Sequence, residues 1–197
     1  MQNKEYFNNY IKAFLEQNSK LNLISKNDEK FLWEKHIFDS LAIEKFFDKY
    51  DIRPKTLLDF GTGGGFPAVP IALVYPNIEI TAMDSIRKKI NAISTIKDVL
   101  KISNLTPLCG RVETLEGKFD IITSRAVANL GKIVEYAIPR LNKDGYFIAY
   151  KSIKVQEEIE DAKLALKKYK AKVVDIIQYN LQLEENHTRN LVVITKQ

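Results

Sequence analysis

Apolar residues recur at helical spacing through the first fifty positions. Phe7, Tyr10, Ile11, Phe14 and Leu15 fall at i, i+3, i+4, i+7 and i+8, which is one stripe of a helix. Asn18 and Ser19 are expected to close it. Asn27, followed by Asp28 and Glu29, reads as a new start: an Asx cap with acids in the first turn, where the helix dipole favours them. A second helical stretch then runs to about Tyr50, with a break expected near Asp39 and Ser40. Positions 51–55, which include Pro54, join this helical region to the rest of the chain. The expected division is a helical N-terminal extension over 1–50, packed on one globular core over 51–197.

From Thr56 the pattern becomes short apolar runs alternating with amphipathic segments. Strands are expected at 56–59, 78–83, 106–109, 119–123 and 146–150. Pro67 and Pro70 suit a helix start, where the missing N–H costs nothing, and Pro76 must follow that helix. Ser85 is placed to cap the next helix, whose buried face would carry Ile86, Ile90, Ile93 and Leu100. A helix around 130–139 leads to Asp144-Gly145 and the fifth strand. Positions 156–170 read as one long charged helix, with Lys163, Lys167, Lys168, Lys170 and Lys172 along its solvated face and end. Two last strands, 172–177 and 191–195, are joined by a polar loop holding His187 and Arg189. Alternating strands and helices imply a mostly parallel α/β sheet. The absence of a helical pattern between the final pair implies that the last strand runs antiparallel.

Composition narrows the class. A chain of 197 residues suits one domain with a small extension, and 45% apolar residues suffice for a buried core. No stretch approaches the length of a membrane span, and the first residues lack a signal-peptide pattern, so a cytoplasmic protein without a membrane partner is expected. Cys109 is the one cysteine, which excludes an intrachain disulfide framework and a cysteine-based metal cluster. Its expected role is a small buried apolar residue at a strand end. The formal net charge of +5 suits a polyanionic partner without requiring one.

The candidate chemistry begins at positions 57–67, which read Leu-Leu-Asp-Phe-Gly-Thr-Gly-Gly-Gly-Phe-Pro. A glycine turn between a strand and a helix lets the backbone approach a ligand that a Cβ would block. Asp84 ends the next apolar run, where an acid can accept hydrogen bonds from both ribose hydroxyls. Gly61, Gly63 and Gly65 alternate, whereas a dinucleotide fingerprint places its third glycine at position 66, here Phe66. The spacing leans towards S-adenosylmethionine and away from NAD. With the sheet plan, it gives a Rossmann-like class I S-adenosylmethionine-dependent methyltransferase. Arg111-Val112-Glu113 follows the third strand, where this fold places residues beside adenine; read alone, the triplet would be solvated loop. Arg125 and Lys151 fall past the ends of strands four and five, at the sheet edge where ligands bind. Both are expected to line the pocket with positive charge, Lys151 against RNA phosphate.

Missing motifs also inform. No Asn-Pro-Pro or Asp-Pro-Pro followed by an aromatic is present for exocyclic amine methylation, no Pro-Cys pair for attack on a pyrimidine, and no His/Asp/Glu cluster with metal-ligand spacing. Methyl transfer to guanine N7 needs none of these, because N7 carries a lone pair and no proton. Holding that lone pair in line with the methyl–sulfur axis supplies the acceleration.

At this point the blocks resemble one family, the bacterial small-subunit ribosomal RNA guanine-N7 methyltransferases, also called glucose-inhibited division protein B. The similar stretches are 22–24 (Asn-Leu-Ile), 36–41 (His-Ile-Phe-Asp-Ser-Leu), 59–70 with its Gly-Phe-Pro-x-x-Pro extension, Asp84-Ser85, 111–113, 124–126 (Ser-Arg-Ala), 150–152 (Tyr-Lys-Ser) and 189–194 (Arg-Asn-Leu-Val-Val-Ile). They cover nearly the whole chain, in order. The resemblance implies S-adenosylmethionine as cofactor, with Gly61, Phe66, Val112, Glu113 and Arg125 matching the family's cofactor contacts. Thr62, Gly63, Gly65, Asp84 and Ser85 complete the expected cofactor set. It implies a guanine of 16S rRNA near the decoding centre as acceptor, on free RNA or on the small subunit or its assembly intermediate, with no obligate protein partner. Arg125, Lys151, His36 and Arg189 are the expected substrate-positioning residues, and none of them is expected to act as a general base. Ala68 and Ser152 stand where the family usually has glycine. His36 and Asp39 match a family block without an assigned role. Three other readings stay open: a small-molecule or protein methyltransferase, a nucleotide-binding oxidoreductase, and a non-catalytic RNA-binding module.

Overall fold

The computed structural model describes residues 3–183 and 187–196. After a short 3₁₀ turn, α1 (Asn8–Leu21) buries Tyr10, Ala13 and Phe14 on its apolar stripe. It continues past the expected stop to Asn22, whose left-handed backbone (φ 50°) ends it. Asn18 does not close the helix. Its amide bridges forward, accepting from Ile24 N–H at 2.8 Å and donating to Glu29 at 2.7 Å. The cap of α2 (Lys26–Glu29) is Ser25, not Asn27: its hydroxyl accepts the Asp28 N–H. A π-helical turn (Leu32–Phe38) follows and carries Lys35 and His36. Then come α3 (Asp39–Leu41) and α4 (Ile43–Tyr50), with the break at Ala42.

The core alternates β1 (Thr56–Phe60), α5 (Ala68–Val74), β2 (Glu79–Asp84), α6 (Arg87–Leu100), β3 (Leu105–Cys109), β4 (Phe119–Arg125), α7 (Leu130–Ala137), β5 (Leu141–Lys151), α8 (Val155–Asp161), α9 (Lys163–Lys168), β6 (Ala171–Leu181) and β7 (His187–Lys196). Sheet order is β3-β2-β1-β4-β5-β7-β6. The first five strands pair in parallel, and β7 runs antiparallel to both β5 and β6. The last strand is therefore antiparallel, as its sequence context implies. Successive residues of β1 feed opposite faces. Leu57 joins the apolar cluster of α1, α3, α4, α5 and α6, and Leu58 joins that of α7, α8 and α9. The N-terminal helices thus share one hydrophobic core with the sheet.

Several local expectations are corrected. Ser85 caps nothing. The first free N–H before α6, that of Ile86, goes to the Asp84 carboxylate at 2.9 Å, and Ile86 is itself 41% exposed. The long C-terminal helix is two helices hinged at Ala162. Strand β5 begins at Leu141 and passes through Asp144-Gly145, where a Cβ on Gly145 would stand 2.7 Å from the Asp120 carbonyl. His187 and Arg189 belong to β7 rather than to a loop, and positions 184–186 lie outside the described residues. Cys109 is half-buried at the end of β3.

Candidate active site

Strands β2 and β3 build outward from β1 on one side, and β4 and β5 on the other. The chain reverses its winding between β1 and β4, the switch point where open α/β sheets form a crevice at the carboxyl ends of their strands. A cavity of about 1250 Å³ lies there. Gly61, Thr62, Gly63, Phe66, Asp84, Ser85, Val112, Glu113, Arg125, Lys151, His36 and Arg189 all line it, and Gly65 does not.

The glycine loop leaves β1 and is tied across to β2. Thr62 N–H donates to the Met83 carbonyl at 3.0 Å, and Gly63 N–H to the Asp84 carboxylate at 2.9 Å. Gly63 has φ +58°, and a Cβ there would have no heavy atom nearer than 4.0 Å. Its α-carbon therefore faces open cavity, leaving room for a ligand against the backbone. Gly65 serves packing instead: at φ +95°, a Cβ would lie 2.7 Å from the Val69 side chain. Each Asp84 oxygen accepts one backbone N–H and keeps a lone pair that ribose hydroxyls could use. Arg140 braces the wall at Val112-Glu113 by donating to the Glu113 carbonyl at 2.5 Å.

Arg125 closes β4 and is pinned. Its Nη1 donates to Asp39 at 2.8 Å and to the Lys35 carbonyl at 3.1 Å, its Nη2 meets His36 Nδ1 at 3.1 Å, and the guanidinium lies 5.2 Å from the centre of the Phe66 ring. Asp39 is buried and also accepts the Tyr179 hydroxyl at 2.6 Å, while Tyr150 donates to the Ser40 carbonyl at 2.7 Å. This network joins the N-terminal helices to β4, β5 and β6. Lys151 donates to Glu158 at 2.6 Å and to the Ala128 carbonyl at 2.9 Å, and its side chain is only 9% exposed. Arg125 and Lys151 both line the cavity, as expected, but each cation is paired with an acid, so neither presents its full charge there. Arg189, Arg111 and Lys89 line the same cavity and make no ion pair among the described residues.

Two buried acid–base groups are displaced. Burial raises the Asp59 carboxyl to about 6, against the opposing pull of the Thr62 and Thr123 hydroxyls and Arg125. Thr123 donates to it at 2.9 Å. Burial first, and the neighbouring Arg125 charge second, lower His36 to about 4. The Asp39, Tyr179, Asp59, Glu158 and Arg140 contributions escape sequence reading. Apart from Lys151, seven positions from Glu158 at the end of a strand, the partners named above are remote along the chain and carry no local spacing signal. For Asp39 the one clue is that it shares a turn with His36.

Comparison with known proteins decides the lineage. A model of the rRNA small subunit methyltransferase G family matches residues 3–193. The ribosomal RNA small subunit methyltransferase G of Bacillus licheniformis is 36% identical over 199 aligned residues, covering 98% of this chain and 82% of that protein. The chain belongs to this family. Solved structures match at the level of fold. Precorrin-6y C5,15-methyltransferase from Geobacter metallireducens superposes with TM-score 0.61 at 15% identity over 90% of this chain and 92% of that one. TYW2 of M. jannaschii, solved in complex with AdoMet, gives 0.59 at 17% identity over 79% and 76%. The architecture is the Rossmann-like class I fold of S-adenosylmethionine-dependent methyltransferases, with a cavity at its switch point.

Proposed function

We propose that the protein transfers the methyl group of S-adenosylmethionine to N7 of a guanine in 16S rRNA. The observation that carries this reading is the open face of Gly63 beside Asp84, in a cavity that a member of this rRNA methyltransferase family keeps at the β1–β4 switch point. A cradle that a Cβ would fill suits a nucleoside cofactor. Gly61, Thr62, Gly63 and Phe66 would hold its amino-acid end, Asp84 and Ser85 its ribose, and Val112 and Glu113 its adenine. Bound there, S-adenosylmethionine supplies an electrophilic methyl group.

The chain's own work is orientation. Guanine N7 needs no proton removed, so the residues around Arg125 have only to hold the base in line and keep water out. Arg125, held by Asp39, acts on the cofactor or on RNA phosphate rather than on the purine, which becomes cationic on methylation. Arg189, Arg111 and Lys89, without an ion pair among the described residues, offer the charge that a polyanion would meet at the cavity. His36 is neutral through the physiological range, so the chemical step should vary little from about pH 6 to 9. The site acts on 16S rRNA free or in the small subunit, in the cytoplasm. Mapping methylated positions on rRNA from a strain lacking this protein tests the reading. One guanine should lose its N7 methyl group, and an unchanged map would refute it.

A further inference from the structure

The proposed cofactor residues lie on the β1–β3 side of the cavity, which leaves the β4–β5 side for the acceptor base. There the chain leaves β4 through Ala126, whose backbone is left-handed (φ 55°), and runs on to the start of α7. Val127 lies half-exposed over the glycine loop, and a Cβ on Gly61 would collide with its side chain. Lys151 holds the next residue by donating to the Ala128 carbonyl at 2.9 Å. Glu158 holds Leu130, accepting its N–H on Oε2 at 3.1 Å. The same Oε2 accepts Lys151 Nζ at 2.6 Å. Both bonds therefore fall on one oxygen. The other, Oε1, accepts nothing among the described residues and is not enclosed. The Glu158 side chain is 27% exposed and lines the cavity. A carboxylate fixed by one oxygen thus keeps a free acceptor on the side where the base would lie.

We propose that Glu158 selects guanine, its Oε1 accepting the N1–H and 2-amino N–H of the target base. The inference rests on the methyltransferase reading of the cavity. Every purine has an N7, so the transfer itself does not choose between guanine and adenine. The far edge of the ring does. Val127 and Leu130 are three residues apart, at most about 10 Å of chain, so a base with N7 at the glycine loop brings its far edge towards Glu158. Guanine offers two donors on that edge. Adenine offers a lone pair on N1, which a carboxylate repels, and no 2-amino group. A site built to accept hydrogen bonds rejects a base that cannot supply them. Charge favours the same arrangement. Methylation at N7 makes the purine cationic and its N1–H a better donor, so the bond to Glu158 strengthens as the methyl group arrives. Lys151 keeps the acid in place without contributing a base contact.

Inosine tests this directly, because it keeps N7 and N1–H and lacks only the 2-amino group. The full-length protein is given 16S rRNA, or small subunits containing it, with guanosine or inosine at the acceptor position. Wild-type kcat/KM should be about tenfold to a hundredfold lower for inosine. Glu158→Gln can keep both structural bonds on its amide oxygen while turning an NH₂ group towards the base. It should lose most of its activity on guanosine, and its guanosine-to-inosine ratio should close to within about threefold of one. Glu158→Asp, which draws the acid back by one methylene, should shrink the ratio as well. A wild-type ratio near one overturns the inference without any variant. So do variants that are slower on both RNAs but keep the wild-type ratio, since a Glu158 that only anchors Lys151 and Leu130 lowers both rates alike. Methylation of guanosine and inosine alike at N7 defeats this inference alone. A wild-type protein that binds no S-adenosylmethionine and methylates neither RNA defeats the functional reading and the selection with it.

Discussion

Asp59 and His36 are displaced in opposite senses within one buried shell, and their linkage to folding opposes. Asp59 binds its proton more tightly when folded, so its contribution is fully present below about pH 3.8 and is lost as pH rises through about 6. His36 binds its proton less tightly when folded, so stability from it is gained as pH rises from about 4 to 6.5. Each shift corresponds to about 3 kcal/mol, and between pH 4 and 6 the two nearly cancel. Asp59→Asn should leave the His36 slope exposed: urea unfolding of that variant should show stability climbing across this window more steeply than in the wild type. Parallel curves would mean that Asp59 titrates normally. Gly63 makes a second prediction at the same scale. Gly63→Val places a branched side chain in open cavity, so calorimetry should find S-adenosylmethionine affinity reduced by tenfold or more. An unchanged affinity would remove the glycine loop from the cofactor site.

Between elements, the cations at the strand ends do different jobs. Lys151 at the end of β5 ties α8 down through Glu158, which also accepts the Leu130 N–H that opens α7. Lys151→Ala should therefore cost stability, about 2 kcal/mol for a half-buried pair left open, and leave the salt dependence of RNA binding unaltered. Arg189→Ala on β7 should do the reverse. It should flatten the log–log salt slope of rRNA affinity by about 0.7–0.9 with little change in melting temperature. If Lys151→Ala flattens the slope and Arg189→Ala does not, the assignment is inverted. The sequence makes the strands, the glycine turn and the antiparallel last strand legible, because each rests on a local period or a turn residue. It hides the pairing of Arg125 with Asp39 and of Lys151 with Glu158. The first spans 86 positions of chain, and in the second Glu158, on a charged helix, looks like a solvated residue. Ser85 and Asn27 mislead for a related reason. Each is a good capping residue, but Asp84 and Ser25 are better placed to receive the free N–H groups.

At the scale of the whole molecule, one face of the sheet carries the N-terminal helices, the other carries α7 to α9, and the cavity opens where the winding reverses. Asp39, Arg125 and Tyr179 tie three separate parts of the chain into the cavity wall, so the N-terminal helices are part of the site as well as of the core. The proposed reaction is methyl transfer from S-adenosylmethionine to guanine N7 of 16S rRNA. Its most direct test uses purified protein, methyl-labelled S-adenosylmethionine, and 16S rRNA or small subunits from cells lacking the enzyme. Borohydride reduction and aniline scission then cut the RNA only where N7 is methylated. One new cut should appear, at a guanine, with label in equal amount and a single-turnover rate nearly flat from about pH 6 to 9. Label without scission, which places the methyl group on another atom, would contradict it.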